Sequence, residues 1–166
     1  MGSVVKWRRK KMRTPPSASA TALIAVLGLM SCAPATPSIA WDVDNCDYCR
    51  MTVSDRRFGA AAITSGGRTL HFDSIECLAA WASAQPKPPR ELWIADAQAP
   101  GMLLPVAELR FHRTAAGKSP MGKGFVAVAK TAGATEWDGP ALTWDEVRAA
   151  VTQEGMSSTT AHAGGH

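Results

Sequence analysis

Apolar and polar positions follow period two in several short runs and a helical period in two others, which predicts a small α+β protein. Phe58 to Thr64 is an almost unbroken apolar run, short enough for a central strand. Ser65-Gly66-Gly67 is a hairpin turn signal, and Arg68 to Phe72 alternates as the returning strand. Asp73 then opens a helix, with Glu76 three positions on completing a capping-box-like pair. Ile75, Leu78, Ala79 and Ala82 form one apolar stripe, the helix runs to about Ala84, and Pro86, Pro88 and Pro89 end it. Leu92-Trp93-Ile94-Ala95 predicts a further short strand.

A looser copy of this pattern follows. Glu108 to Arg113 reads as a strand and a Gly/Lys/Ser/Pro loop comes next. Phe125 to Ala129 then reads as its partner. Thr143-Trp144-Asp145-Glu146 is another capping box, opening a helix to about Val151. The expectation is two tandem β-β-α units with antiparallel hairpins in one small domain, joined by Ala97 to Leu104. The likeness between the units is architectural, with no residue-level repeat. From Gly155 on, Ser, Thr, Gly and Ala dominate, which predicts disorder.

Composition changes the picture at the amino terminus. Lys6, Arg8, Arg9, Lys10, Lys11 and Arg13 form a basic stretch, followed by an apolar run, Ala20 to Met30, too short to span a bilayer as a mature helix. Leu29-Met30-Ser31-Cys32 resembles a bacterial lipobox, in which Cys32 becomes the acylated first residue. An ordinary signal peptide with an incidental Cys32 is the plainer alternative. The Pro/Ala/Thr/Ser stretch after Cys32 favours the lipobox. The partition expected is therefore 1–31 signal peptide, 32–41 lipid-anchored tether, 42–154 folded domain and 155–166 tail. All six basic residues leave with the signal, so 18 Lys and Arg against 14 Asp and Glu becomes 12 against 14. The high pI thus belongs to the export signal, and a nucleic-acid partner has no support.

Of four cysteines, acylation of Cys32 leaves Cys46, Cys49 and Cys77. An odd number in an oxidising compartment argues against a disulfide framework. Asn45-Cys46-Asp47-Tyr48-Cys49-Arg50-Met51 holds two thiols and a thioether within six residues. It reads as one arm of a metal site, a redox dithiol or a structural disulfide. Thiolates and thioethers are soft donors that favour Cu(I) and, less selectively, Zn(II). Met51 tips the reading toward copper, although it could simply start a core strand. Asp42, Asp44 and Asp47 would raise thiol pKa values, with Arg50 partly opposing them, and they read either as attracting a cation or simply as solvated loop carboxylates.

Other candidates are more ambiguous. Met121 lies in a Pro/Gly loop outside any apolar period, as a lid on the core or a reachable sulfur donor. His71 closes the returning strand and is structural or an additional metal ligand. His112 reads as structural or exposed, and Cys77, in the first helical turn, as a small buried hydrophobe ahead of a metal ligand. His162 and His166 lie in the tail. No Ser/His/Asp order, phosphate loop or His-Glu-x-x-His helix is present, so the chain is not expected to be an enzyme. A periplasmic thiol-disulfide oxidoreductase using Cys46 and Cys49 is the alternative. It is weakened because the pair is followed by Thr52, Val53 and a turn rather than by a helix.

Three blocks in order carry a resemblance. They are Asp44-x-Cys46-x-x-Cys49-x-Met51, His71-Phe72-Asp73-Ser74-Ile75-Glu76-Cys77-Leu78, and Ser119-Pro120-Met121-Gly122 behind a lipobox. Together they resemble the NosL family of nitrous oxide reductase accessory lipoproteins, over roughly Asp42 to Ala129. The resemblance implies repeated β-β-α units and a Cu(I) chaperone tethered on the periplasmic side of a bacterial membrane. Its implied partners are a copper enzyme client, nitrous oxide reductase first, and a copper exporter or ABC-type maturation complex. Carried over by motif, the implied ligands are Cys46, Cys49, Met51 and Met121. One position departs: where the family often has Gly, between the second Cys and the Met, this chain has Arg50.

Overall fold

The structure is a computed structural model that describes Gly2 and residues 35–114, 118–133, 137 and 139–161, the last helix with side chains to residue 155. The chain divides into two units, Met1–Pro34 and Ala35–His166, and the elements described below belong to the second. Apart from Gly2, the expected signal peptide lies outside the described residues, as do Cys32, His162 and His166.

Four antiparallel strands make the main sheet, in the order β2-β1-β3-β4. β1 (Ala60–Ile63) is apolar on both faces, and it is accordingly interior, with Ala60 opposite both Phe72 of β2 (Thr69–Phe72) and Ile94 of β3 (Glu91–Ala95). Gly67, at φ 83°, makes the turn between β1 and β2. β4 (Leu103–Pro105) is the edge strand beside β3, the one place in a sheet where a proline lacking its N–H is tolerated. A 3₁₀ turn (Val106–Glu108) leads to β5 (Leu109–Arg113), which pairs with β6 (Phe125–Ala129) in a separate two-stranded sheet.

Two helices complete the α+β fold. α1 (Ile75–Ser83) packs against β1, β2, β6 and α2 (Trp144–Ala161). Phe72, Ile75, Leu78, Ile94, Phe111, Phe125 and Val147 are fully buried in one core that both sheets and both helices share. Each contributes roughly 1.5–3 kcal/mol by leaving water. Hairpin-then-helix does recur, as β1-β2-α1 and β5-β6-α2. However, β3 and β4 extend the first hairpin's sheet, so the stretch expected as a plain connection contains the start of an edge strand. The Thr143 capping box forms as expected: Thr143 N donates to Glu146 Oε2 at 2.7 Å and Glu146 N to Thr143 Oγ1 at 3.3 Å. α2 continues to Ala161, beyond Gly155.

At α1 the cap differs from the sequence expectation by one residue. Ser74, not Asp73, is the N-cap, its Oγ accepting from Cys77 N at 3.2 Å. Both residue types cap well, so neighbouring chemistry decides which does so. With Ser74 in that role, the Asp73 carboxylate is free for another.

Candidate metal centre

The segment before β1 folds back on itself as a narrow ribbon. Asp42 N donates to Val53 O at 3.0 Å, Val53 N to Asp44 O at 2.9 Å, and Asn45 bridges Thr52. At its tip Cys46 N donates to Met51 O at 2.7 Å and Arg50 N to Cys46 O at 3.0 Å. These two bonds close a tight loop holding both cysteines. Closure puts Arg50 at φ 70°, in the left-handed region that glycine enters freely and a side chain enters at a cost. This is the position where the resemblance expects Gly.

Asp47 fastens the loop to β2. Its N–H donates to His71 O at 2.8 Å, and its Oδ2 accepts from His71 N at 2.9 Å. On the other side Trp41 lies over Gly59, where a Cβ would meet the indole ring at 2.5 Å. β2 then delivers Asp73, and the first turn of α1 delivers Cys77. The outcome is a cluster in which one ligand atom each from Cys46, Cys49, Asp73 and Cys77 lies within 4.8 Å of every other. Cys46 and Cys77 are fully buried, Asp73 is 3% exposed, and Cys49 is half-buried. All three thiols are free.

Their protons are unequally held. The Cys77 thiol donates to Cys46 Sγ and pulls the Cys46 pKa down to about 6; burial opposes this, and the N–H groups of Cys49, Asp73 and Tyr48 assist. Burial pushes Cys49 up to about 11, against the Met51 N–H, with Cys46 adding to the rise. Cys77 is driven upward, first because it serves as donor to Cys46 and then by burial. The surroundings of the cluster thus favour the thiolate form at Cys46 over Cys49 and Cys77.

Cys49 Sγ donates to Asp73 Oδ1 at 3.4 Å, while Asp73 Oδ2 is buried with no hydrogen-bond partner. An unpaired buried carboxylate oxygen beside a thiolate is costly, and a cation is what would relieve both. Three sulfurs and one oxygen converging on a common point make a set that could hold a metal ion.

The structure brings Cys46 and Cys49 together, as the spacing implied, and adds two residues the sequence reading placed elsewhere. From the sequence, Cys77 reads as core ahead of ligand, and Asp73 as a helix cap. The signal that could have found Cys77 is the odd number of thiols expected if Cys32 is acylated. Met51 and Met121 stand largely at the surface, 51% and 37% exposed. His71 lies outside the quartet: its Nδ1 sits 3.0 Å from Asp44 Oδ2, and its Nε2 is buried without a partner. His112 is buried in β5, both ring nitrogens unpartnered. No family model, curated protein or solved structure matches the chain.

Proposed function

We propose that this chain is a copper carrier of the NosL kind: a lipoprotein tethered through Cys32 on the periplasmic side of a bacterial membrane, binding one Cu(I) and passing it to a copper enzyme. The observation that carries the reading is the meeting of three thiols, buried or half-buried, at one point. Thiolate sulfur is a soft donor that favours Cu(I) and, less selectively, Zn(II). Nitrous oxide reductase is the client the resemblance points to, and a copper exporter or ABC-type maturation complex the neighbouring partner.

Capture would begin at the Cys46 thiolate. Cys49 and Cys77 would then lose their protons to solvent as they join, so affinity rises with pH. Cys49, the least buried of the three, is the bond an incoming acceptor ligand can displace. The exposed thioethers of Met51 and Met121 are neutral at every pH and are candidate stepping stones out of the site. His71, its ring fixed by Asp44, is a candidate additional ligand through Nε2.

The oxidoreductase alternative is disfavoured by the burial of the two thiols. Exchange needs a reachable thiolate. Here Cys46 is fully buried and Cys49 only half-exposed. Zn(II) has one observation behind it, the Asp73 oxygen, because a tetrahedral three-sulfur, one-oxygen set also suits that ion. The two are separated by native mass spectrometry of reduced protein offered equal Cu(I) and Zn(II) in the presence of competing thiol. One copper and no zinc per chain is expected. One zinc and no copper would overturn the proposal.

A further inference from the structure

We propose that Glu76 and Ser119 are a positioning pair that holds the Met121 thioether ready for copper transfer, an inference that rests on the carrier reading above. Glu76 sits in the first turn of α1 directly before Cys77 and is 2% exposed. Ser119, also buried, donates from Oγ to Glu76 Oε1 at 2.5 Å. The same Oγ accepts from Gly124 N at 2.8 Å, and Gly122 N donates to Ser119 O at 2.9 Å. Gly122 and Gly124, at φ 73° and 76°, supply the left-handed backbone that this closure needs. The turn 119–124 is thus clamped shut on one hydroxyl, and that hydroxyl is fastened to the residue adjoining a thiol of the metal centre.

Met121 is at the tip of this turn, exposed while its anchor is buried. A methionine that merely covered the core would be held by apolar contact and would need no buried carboxylate. Glu76 is an expensive fastening, since its Oε2 is buried without any partner. What the clamp provides is a fixed location for a sulfur donor relative to the turn that bears Cys77. In transfer, Cu(I) gives up its bond to the Cys49 thiolate and gains one to the Met121 thioether. The ion stays monovalent, and the freed thiolate takes a proton from water.

The test is stopped-flow transfer of Cu(I) from the reduced, loaded chain to the chelator bathocuproine disulfonate. It compares wild type, Met121→Leu, Ser119→Ala and the double variant, with melting temperatures alongside. Each single substitution is expected to slow transfer about tenfold, and the double to be no slower than Met121→Leu, because the hydroxyl acts through the thioether. Ser119→Thr, which keeps a hydroxyl, is expected to regain most of the rate. Should Ser119→Ala not fold, Glu76→Asp draws the acceptor back by one methylene and is expected to slow transfer alone but not on top of Met121→Leu. Slowing that multiplies in the double variant overturns the positioning role and leaves the copper site standing. So does a Ser119→Ala chain that melts lower yet transfers at the wild-type rate. Wild type that takes up no Cu(I) removes the carrier reading and this inference with it.

Discussion

Arg50 carries the clearest single-residue strain in the site. Its φ of 70° is forced by the loop that brings Cys46 and Cys49 together. Arg50→Gly should therefore stabilise the metal-free protein by about 1 kcal/mol, read as a higher urea midpoint. A lower midpoint would mean the arginine side chain makes a compensating contact. The thiols make a second prediction. Absorbance at 240 nm should report one thiolate of the three forming near pH 6, with the others ionising only in strongly alkaline solution. Three thiols titrating together near pH 9 would contradict the shared-proton arrangement. The sign for stability follows. Cys46, lowered, adds stability above its unfolded value that is lost as pH falls through about 6. Cys49, raised, adds stability below pH 9 that is lost as pH climbs through about 11. At this scale the Cys-x-x-Cys pair was legible because its ligands are close in sequence. Asp73 and Cys77 were not, because a ligand contributed through a folded hairpin has no local spacing to betray it.

The elements were more legible than the contacts among them. Hairpin turns and helix stripes depend on residues within a few positions of each other, and β1, β2, β5, β6 and the Thr143 cap all formed where the pattern put them. The one-residue shift at α1 arose because Asp73 and Ser74 are both competent caps, and only the site decides between them. Ser74→Ala should remove the Cys77 N–H acceptor and cost about 1 kcal/mol of stability. It should also weaken metal retention, since Asp73 can then be drawn into capping. Unchanged retention in a destabilised variant would limit Ser74 to a helical role. The ribbon before β1 depends on a close approach that periodicity cannot express. Gly59→Ala sets a methyl 2.5 Å from the Trp41 ring and should cost about 1–3 kcal/mol in thermal or urea unfolding. A neutral result would mean that Trp41 moves aside freely.

Over the whole molecule, a strained loop, a β-hairpin and one helical turn are held by a shared core so that two separate stretches of chain, 46–49 and 73–77, meet at one point. The late loop is tied to that helical turn through Ser119 and Glu76, bringing a third block of the sequence resemblance into the same arrangement. Order along the chain suggested that these blocks belong together, but only folding gives them a common address. Copper K-edge X-ray absorption on the reduced, Cu(I)-loaded chain and on Cys77→Ala is the decisive measurement of the three-thiol site. A first shell built on the sulfurs of Cys46, Cys49 and Cys77 is expected, with one sulfur lost in the variant. A shell dominated by nitrogen and oxygen, or an unchanged sulfur number without Cys77, would contradict it.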